Sequence, residues 1–149
     1  MKVDVRTHVV IDRPRDEVFA YAGDPTNAPR WYNNIDSVTW TTKPPIEVGS
    51  RMTFVARFLG RKLEYTYEVV ELVSNERLVM RTAQGPFAME TTYEWADAGP
   101  GRTRMSLRNR GEPSGFSSVA APVMAAAIKR ANVSDLARLK VVLERRRPA

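Results

Sequence analysis

Hydrophobic and polar residues follow two periods along this chain. Val3, Val5, Thr7, Val9 and Ile11 alternate with Asp4, Arg6, His8, Val10 and Asp12, the two-residue period of a strand with one covered face. Between Ile35 and Arg110 the same period recurs in about six runs. They are separated by the turn-forming stretches KPPIEVG, LGRK, VSNER, AQGP and DAGPGR, whose Gly, Pro, Asn and Asp residues supply the backbone angles of tight reversals. One alternate set holds Met52, Phe54, Ala56 and Phe58, then Leu63, Tyr65, Tyr67 and Val69, then Leu78, Met80 and Thr82. It continues through Phe87, Met89, Thr91, Tyr93 and Trp95 to Met105, Leu107 and Asn109. The opposite set is mostly charged residues and Thr, so the runs predict an antiparallel meander with one face in water.

Two short helices are expected after the first strand. Pro14 suits the first helical position, Asp16 and Glu17 suit the positive end of the dipole, and Val18, Phe19 and Tyr21 form an apolar face. Gly23 closes that helix, and Asp24 with Pro25 starts the second, through Trp31. At the other end, a cap at Ser117 or Ser118 opens one long helix to about Arg146. Met124, Ile128, Asn132, Leu136, Leu139 and Leu143 recur at spacings of three and four and form one stripe. Only the apolar sheet face is large enough to bury that stripe. The expected fold is α+β, a curved antiparallel sheet of about seven strands gripping a long C-terminal helix. A chain of 149 residues suits one domain, 1–149.

Charge and composition narrow the chemistry. The net charge is +6, but the arginines are dispersed among Glu64, Glu68, Glu90 and Glu94 on strand segments. A mixed-charge, solvated sheet face accounts for them, and no nucleic-acid partner is expected. The absence of cysteine excludes disulfides, a thiolate nucleophile and thiolate metal sites. The single histidine, His8, shares strand parity with Asp4 and Arg6 and is expected to face water. No G-x-S-x-G, G-x-G-x-x-G or Walker pattern occurs, so no cofactor and no metal are expected. The N-terminus has no long apolar stretch and the longest low-charge run, Phe116 to Ile128, contains Pro122. A cytoplasmic location without an integral membrane segment is expected.

Taken in order, IDRPRDEVFAYAGDPTNAPRWYNNI, VGSRMTFVARFLGRKLEYTYEVVE, LRNRGEPSGF and DLARLKVVLE make the chain resemble the helix-grip superfamily called SRPBCC or START-like, in its polyketide cyclase/dehydrase branch. The resemblance covers nearly the whole chain. It implies a cavity between sheet and long helix, lined by inward strand residues and the helix stripe. On this sequence those are Trp31, Phe54, Phe58, Tyr65, Tyr67, Met80, Met89, Thr91, Tyr93, Met105, Asn109, Met124 and Ile128. The same residues are also compatible with a closed core.

Polar groups on the inward set bear on that choice. Tyr65, Tyr67, Thr82, Thr91, Tyr93, Asn109 and Asn132 share interior parity, and a buried hydroxyl or amide is costly unless hydrogen-bonded. Each is satisfied by its neighbours or placed to meet a ligand, and several together favour a pocket. Trp31, beside Tyr32, Asn33 and Asn34, either anchors its helix on the sheet or forms a mouth. Two main functions remain open, beside a weaker one in which the arginine face of a basic accessory protein meets membrane or nucleic acid. One is binding of a hydrophobic small molecule, such as a polyketide, lipid or quinone, by a monomer or homodimer. The other is cyclase or dehydrase chemistry with Tyr65, Tyr67 or Tyr93 as proton donor and Asn109 as oxyanion partner. On this reading the interior holds no inward charged acid or base.

Overall fold

The computed structural model describes residues 2–86, 88–112 and 120–146. Seven antiparallel strands form one sheet: β1 (Val3–Ile11), β2 (Ile35–Trp40), β3 (Arg51–Phe58), β4 (Arg61–Val73), β5 (Arg77–Gln84), β6 (Met89–Asp97) and β7 (Thr103–Gly111). Their spatial order is β1-β7-β6-β5-β4-β3-β2, so every neighbour from β2 to β7 is also a sequence neighbour and β1 adds at the far edge. Register shifts in β4, at Thr66/Tyr67 and Val69/Glu71, and in β2 at Ile35/Ser37 mark irregularities of the kind that bend and twist a strand. The sheet curls into a half-barrel with α3 (Ala121–Glu144) in its grip.

The turns sit where their residues predict. Phe58 pairs with Arg61, leaving the two-residue loop Leu59-Gly60 with φ of 48° and 78°, the signs of a type I′ hairpin turn. Between β1 and β2 lie α1 (Arg15–Ala22), a 3-10 turn (Pro25–Asn27) and α2 (Ala28–Trp31). Pro14 is the N-cap of α1 and not its first residue, a shift of one position. Asp24 accepts a hydrogen bond from the Thr26 N–H and opens the 3-10 turn.

α3 is shorter than expected. It starts at Ala121 behind Ala120, with no side-chain cap; Ser117, Ser118 and the inward-parity Phe87 lie outside the described residues. It ends at Glu144 because the link after β1 caps it there. Arg13 Nη2 donates to the carbonyls of Glu144 and Arg146, each at 2.7 Å. The Asp12 N–H donates to Glu144 Oε2 at 2.8 Å, and Lys140 Nζ donates to the Val10 carbonyl. Cations and donors at a helix C-terminus satisfy its free carbonyls and complement the dipole.

Burial follows strand parity with one exception. Met52, Leu78, Met105 and Leu107 on the sheet meet Leu136, Leu139 and Leu143 of α3, with Ile11, Val18 and Trp31 completing the main core. Val3, Val5, Leu63 and Met124 make a second cluster. His8 is exposed. The exception is on the outer face, where Val79 and Thr92 are buried although a solvated face was expected. These two pair with each other, and the Arg77–Glu94 and Arg81–Glu90 pairs flank them in register. The aliphatic stems of long charged side chains cover such an apolar spot while keeping their heads in water.

Candidate functional site

α2 sets the first wall of the site. Trp31 is fully buried and its ring packs on Tyr32 and Tyr93, with centroids 4.2 and 5.8 Å away. That contact holds the end of α2 against β6 and brings the Tyr32 hydroxyl to 2.6 Å from the Tyr93 hydroxyl. The next residue, Asn33, ties the chain to α3. Its N–H donates to Asp135 Oδ1 at 3.0 Å, its Nδ2 donates to Ser134 Oγ, and its Oδ1 accepts from Arg138.

Between these ties and the concave sheet lies a cavity of about 140 Å³. Phe54, Phe58, Tyr65, Tyr67 and Met80 reach it from β3, β4 and β5. Met89, Thr91, Tyr93 and Asn109 reach it from β6 and β7, and Met124 and Ile128 from α3. Phe54 and Tyr65, cross-strand partners of β3 and β4, stack almost parallel, 5.4 Å apart with 7° between ring planes. Trp31 and Met105 do not line it. Trp31 is the anchor behind Tyr32 and Tyr93. Met105 pairs with Trp95 at the other end of β7, where Phe19 of α1 packs on Trp95; its parity is inward, but its depth along the strand is wrong.

The inward polar groups divide into satisfied and available ones. Thr91 Oγ1 donates to Asn109 Oδ1 at 2.6 Å, which uses its only proton, so the Tyr67 hydroxyl donates to Thr91 across 2.8 Å. This relay joins β4 to β6 and β7 across β5. Thr82 closes on the Met89 backbone, accepting from its N–H and donating to its carbonyl. By contrast, Asn132 is 4% exposed and its Nδ2 has no partner among the described residues. It lines the cavity together with Tyr32, Asn34, Ala131 and Asp135.

Asp135 corrects the expectation of an interior without an acid or base. It is 1% exposed and stands at i+3 from Asn132, on the same helix face. Burial pushes its carboxyl up to about 6, opposed by the Asn33 N–H and by the charge of Arg138. The phenols move the other way from what base chemistry needs. Burial raises Tyr67 to about 12 and raises Tyr32, Tyr65 and Tyr93 as well, so all four are neutral donors at physiological pH. Glu90 and Glu94 are held on the outer face by Arg81, Arg110 and Arg77. Among the described residues no three His, Asp or Glu side chains converge as a metal site, and no helix is long and apolar enough to cross a membrane.

A curled antiparallel sheet closed by a C-terminal helix, with a cavity between them, defines the helix-grip class. Residues 2–144 match the model of the family described as polyketide cyclase / dehydrase and lipid transport, and the chain belongs to that family. Solved structures agree on the fold. The Zhui aromatase/cyclase from a Streptomyces species is similar with a TM-score of 0.81 at 16% identity, covering 100% of this chain and 98% of its own. TTHA0849 from Thermus thermophilus gives 0.80 at 20% identity, over 95% and 97% of the two chains. A START superfamily protein from Mycobacterium smegmatis gives 0.79 at 17% identity, over 95% and 97%. No curated protein matches the chain.

Proposed function

We propose that this protein binds a small hydrophobic molecule in the cavity between the sheet and α3. One observation carries the reading: a largely apolar space is bordered by a buried amide, Asn132 Nδ2, that has no partner among the described residues. An unpaired buried donor is destabilising by about 1–3 kcal/mol, and a ligand acceptor placed beside it removes that cost. A cavity that orients its ligand with a few polar contacts requires such a donor. The outer-face pairs of Arg51 with Glu68, Arg77 with Glu94 and Arg108 with Asp4 support a partner of this kind over nucleic acid.

The test is native mass spectrometry of the purified protein, followed by thermal-shift measurements with aromatic and aliphatic compounds. Ligand binding raises Tm by mass action. Ala131→Phe places a ring in the cavity; it is expected to abolish every ligand-induced shift while leaving the unliganded Tm unchanged or higher. If the variant shifts like the wild type, the ligand binds elsewhere.

A second reading, cyclase or dehydrase chemistry in the same space, is favoured by Asp135. A carboxyl that titrates near 6 within a cavity is poised to take and return a proton at neutral pH, a role the raised phenols do not supply as bases. Conversion of a poly-ketone substrate that Asp135→Asn stops, with binding retained, would establish it.

A further inference from the structure

The cavity is small. At about 140 Å³ it matches a space of about 150 Å³ that accommodates one benzene ring, and falls below the roughly 300–1,000 Å³ of pockets for larger ligands. The Phe54–Tyr65 stack lines it from the sheet and Met124 and Ile128 line it from α3, an apolar setting suited to a single ring. A long acyl chain would have to extend out of a space of that size.

The polar end is equally specific. Asn132 and Asp135 present two different groups from successive turns of one helix face. Asn132 offers Nδ2, a buried donor with no partner among the described residues. Asp135 accepts the Asn33 N–H on Oδ1 alone, which leaves Oδ2 as an acceptor. A donor and an acceptor side by side are matched by a ligand group with an acceptor and a donor side by side. A carboxamide, or a hydroxyl next to a carbonyl, has that arrangement. A carboxylate does not, since it brings two acceptors and a negative charge toward Asp135.

We propose that the cavity selects a neutral single-ring molecule whose one polar group carries adjacent donor and acceptor atoms, with its donor on Asp135 Oδ2 and its acceptor on Asn132 Nδ2. The proposal rests on the reading of this cavity as a ligand site. It is tested by titrating the full-length protein at pH 7.5 with benzamide, methyl benzoate, benzoate, anthraquinone and palmitate, followed by NMR chemical shifts and thermal shift. Benzamide is expected to bind at least about tenfold more tightly than methyl benzoate or benzoate, because each of those leaves a buried polar group unpaired. Asp135→Asn keeps the acceptor for the Asn33 N–H but turns a donor toward the ligand. It is expected to reverse the order, so that benzoate binds more tightly than benzamide. Asn132→Leu is expected to weaken benzamide and methyl benzoate together, since both lose the same donor.

Tighter binding of palmitate or anthraquinone than of benzamide overturns the inference while leaving the cavity a ligand site. An unchanged preference in Asp135→Asn, with the variant folded, also overturns it. If no probe binds, both this inference and the ligand-site reading fail.

Discussion

Asp135 ties chemistry to stability through a single carboxyl. Its folded value near 6 lies above the ordinary value of about 3.9 in an unfolded chain. The folded state therefore holds more protons than the unfolded state between those values. Stability from this group is greatest below pH 4 and falls as pH rises to 6, by about 3 kcal/mol. Comparing wild type with Asp135→Asn in urea at pH 4 and pH 7.5 isolates the effect; the variant is expected to gain on wild type as pH rises. The comparison also cancels the opposite contributions of Asp4, held low by Arg108, and Glu144, held low by Lys140. At the Tyr32–Tyr93 pair, removing either hydroxyl as Phe is expected to destabilise by about 1 kcal/mol. The double variant should cost little more than one single variant, since both remove one shared bond. Sequence alone pointed to Tyr93 and Asn132 through parity and stripe. It passed over Asp135, which stands at the same i+3 spacing, because a charge is ordinarily assigned to water.

Elements were legible wherever one face is wet and the other dry. Strand alternation located β3, β4 and β7 and their inward residues, and the turn residues located the reversals. Val79 and Thr92 escaped because they pair with each other between the Arg77–Glu94 and Arg81–Glu90 pairs, neighbours that only register brings together. The β3–β4 turn gives a clean test. Leu59 holds φ of 48° where Asn is better tolerated, and it is exposed. Leu59→Asn is expected to raise stability by about 0.5 kcal/mol in urea denaturation. At the other end of the sheet, Arg13→Met keeps the stem and removes the donors to the last carbonyls of α3. Hydrogen exchange should quicken in the final turn of α3, with a loss of about 1 kcal/mol.

At the scale of the whole molecule, sheet curvature and helix placement together create the cavity. A compound present at 100 times its Kd is expected to stabilise the fold by about 2.7 kcal/mol, readable as a Tm rise that Ala131→Phe removes. What the sequence determined by itself is the order of elements, the dry face of the sheet and the stripe of α3, because hydrophobic period is local and survives without coordinates. Tertiary structure decided the rest. Whether Tyr67, Thr91 and Asn109 satisfy one another, whether Trp31 stands on the cavity wall or behind it, and whether the sheet closes on α3 or leaves space all depend on distances between strands and helix. Parity states which way a side chain points; it carries no information on how far away the opposite wall stands.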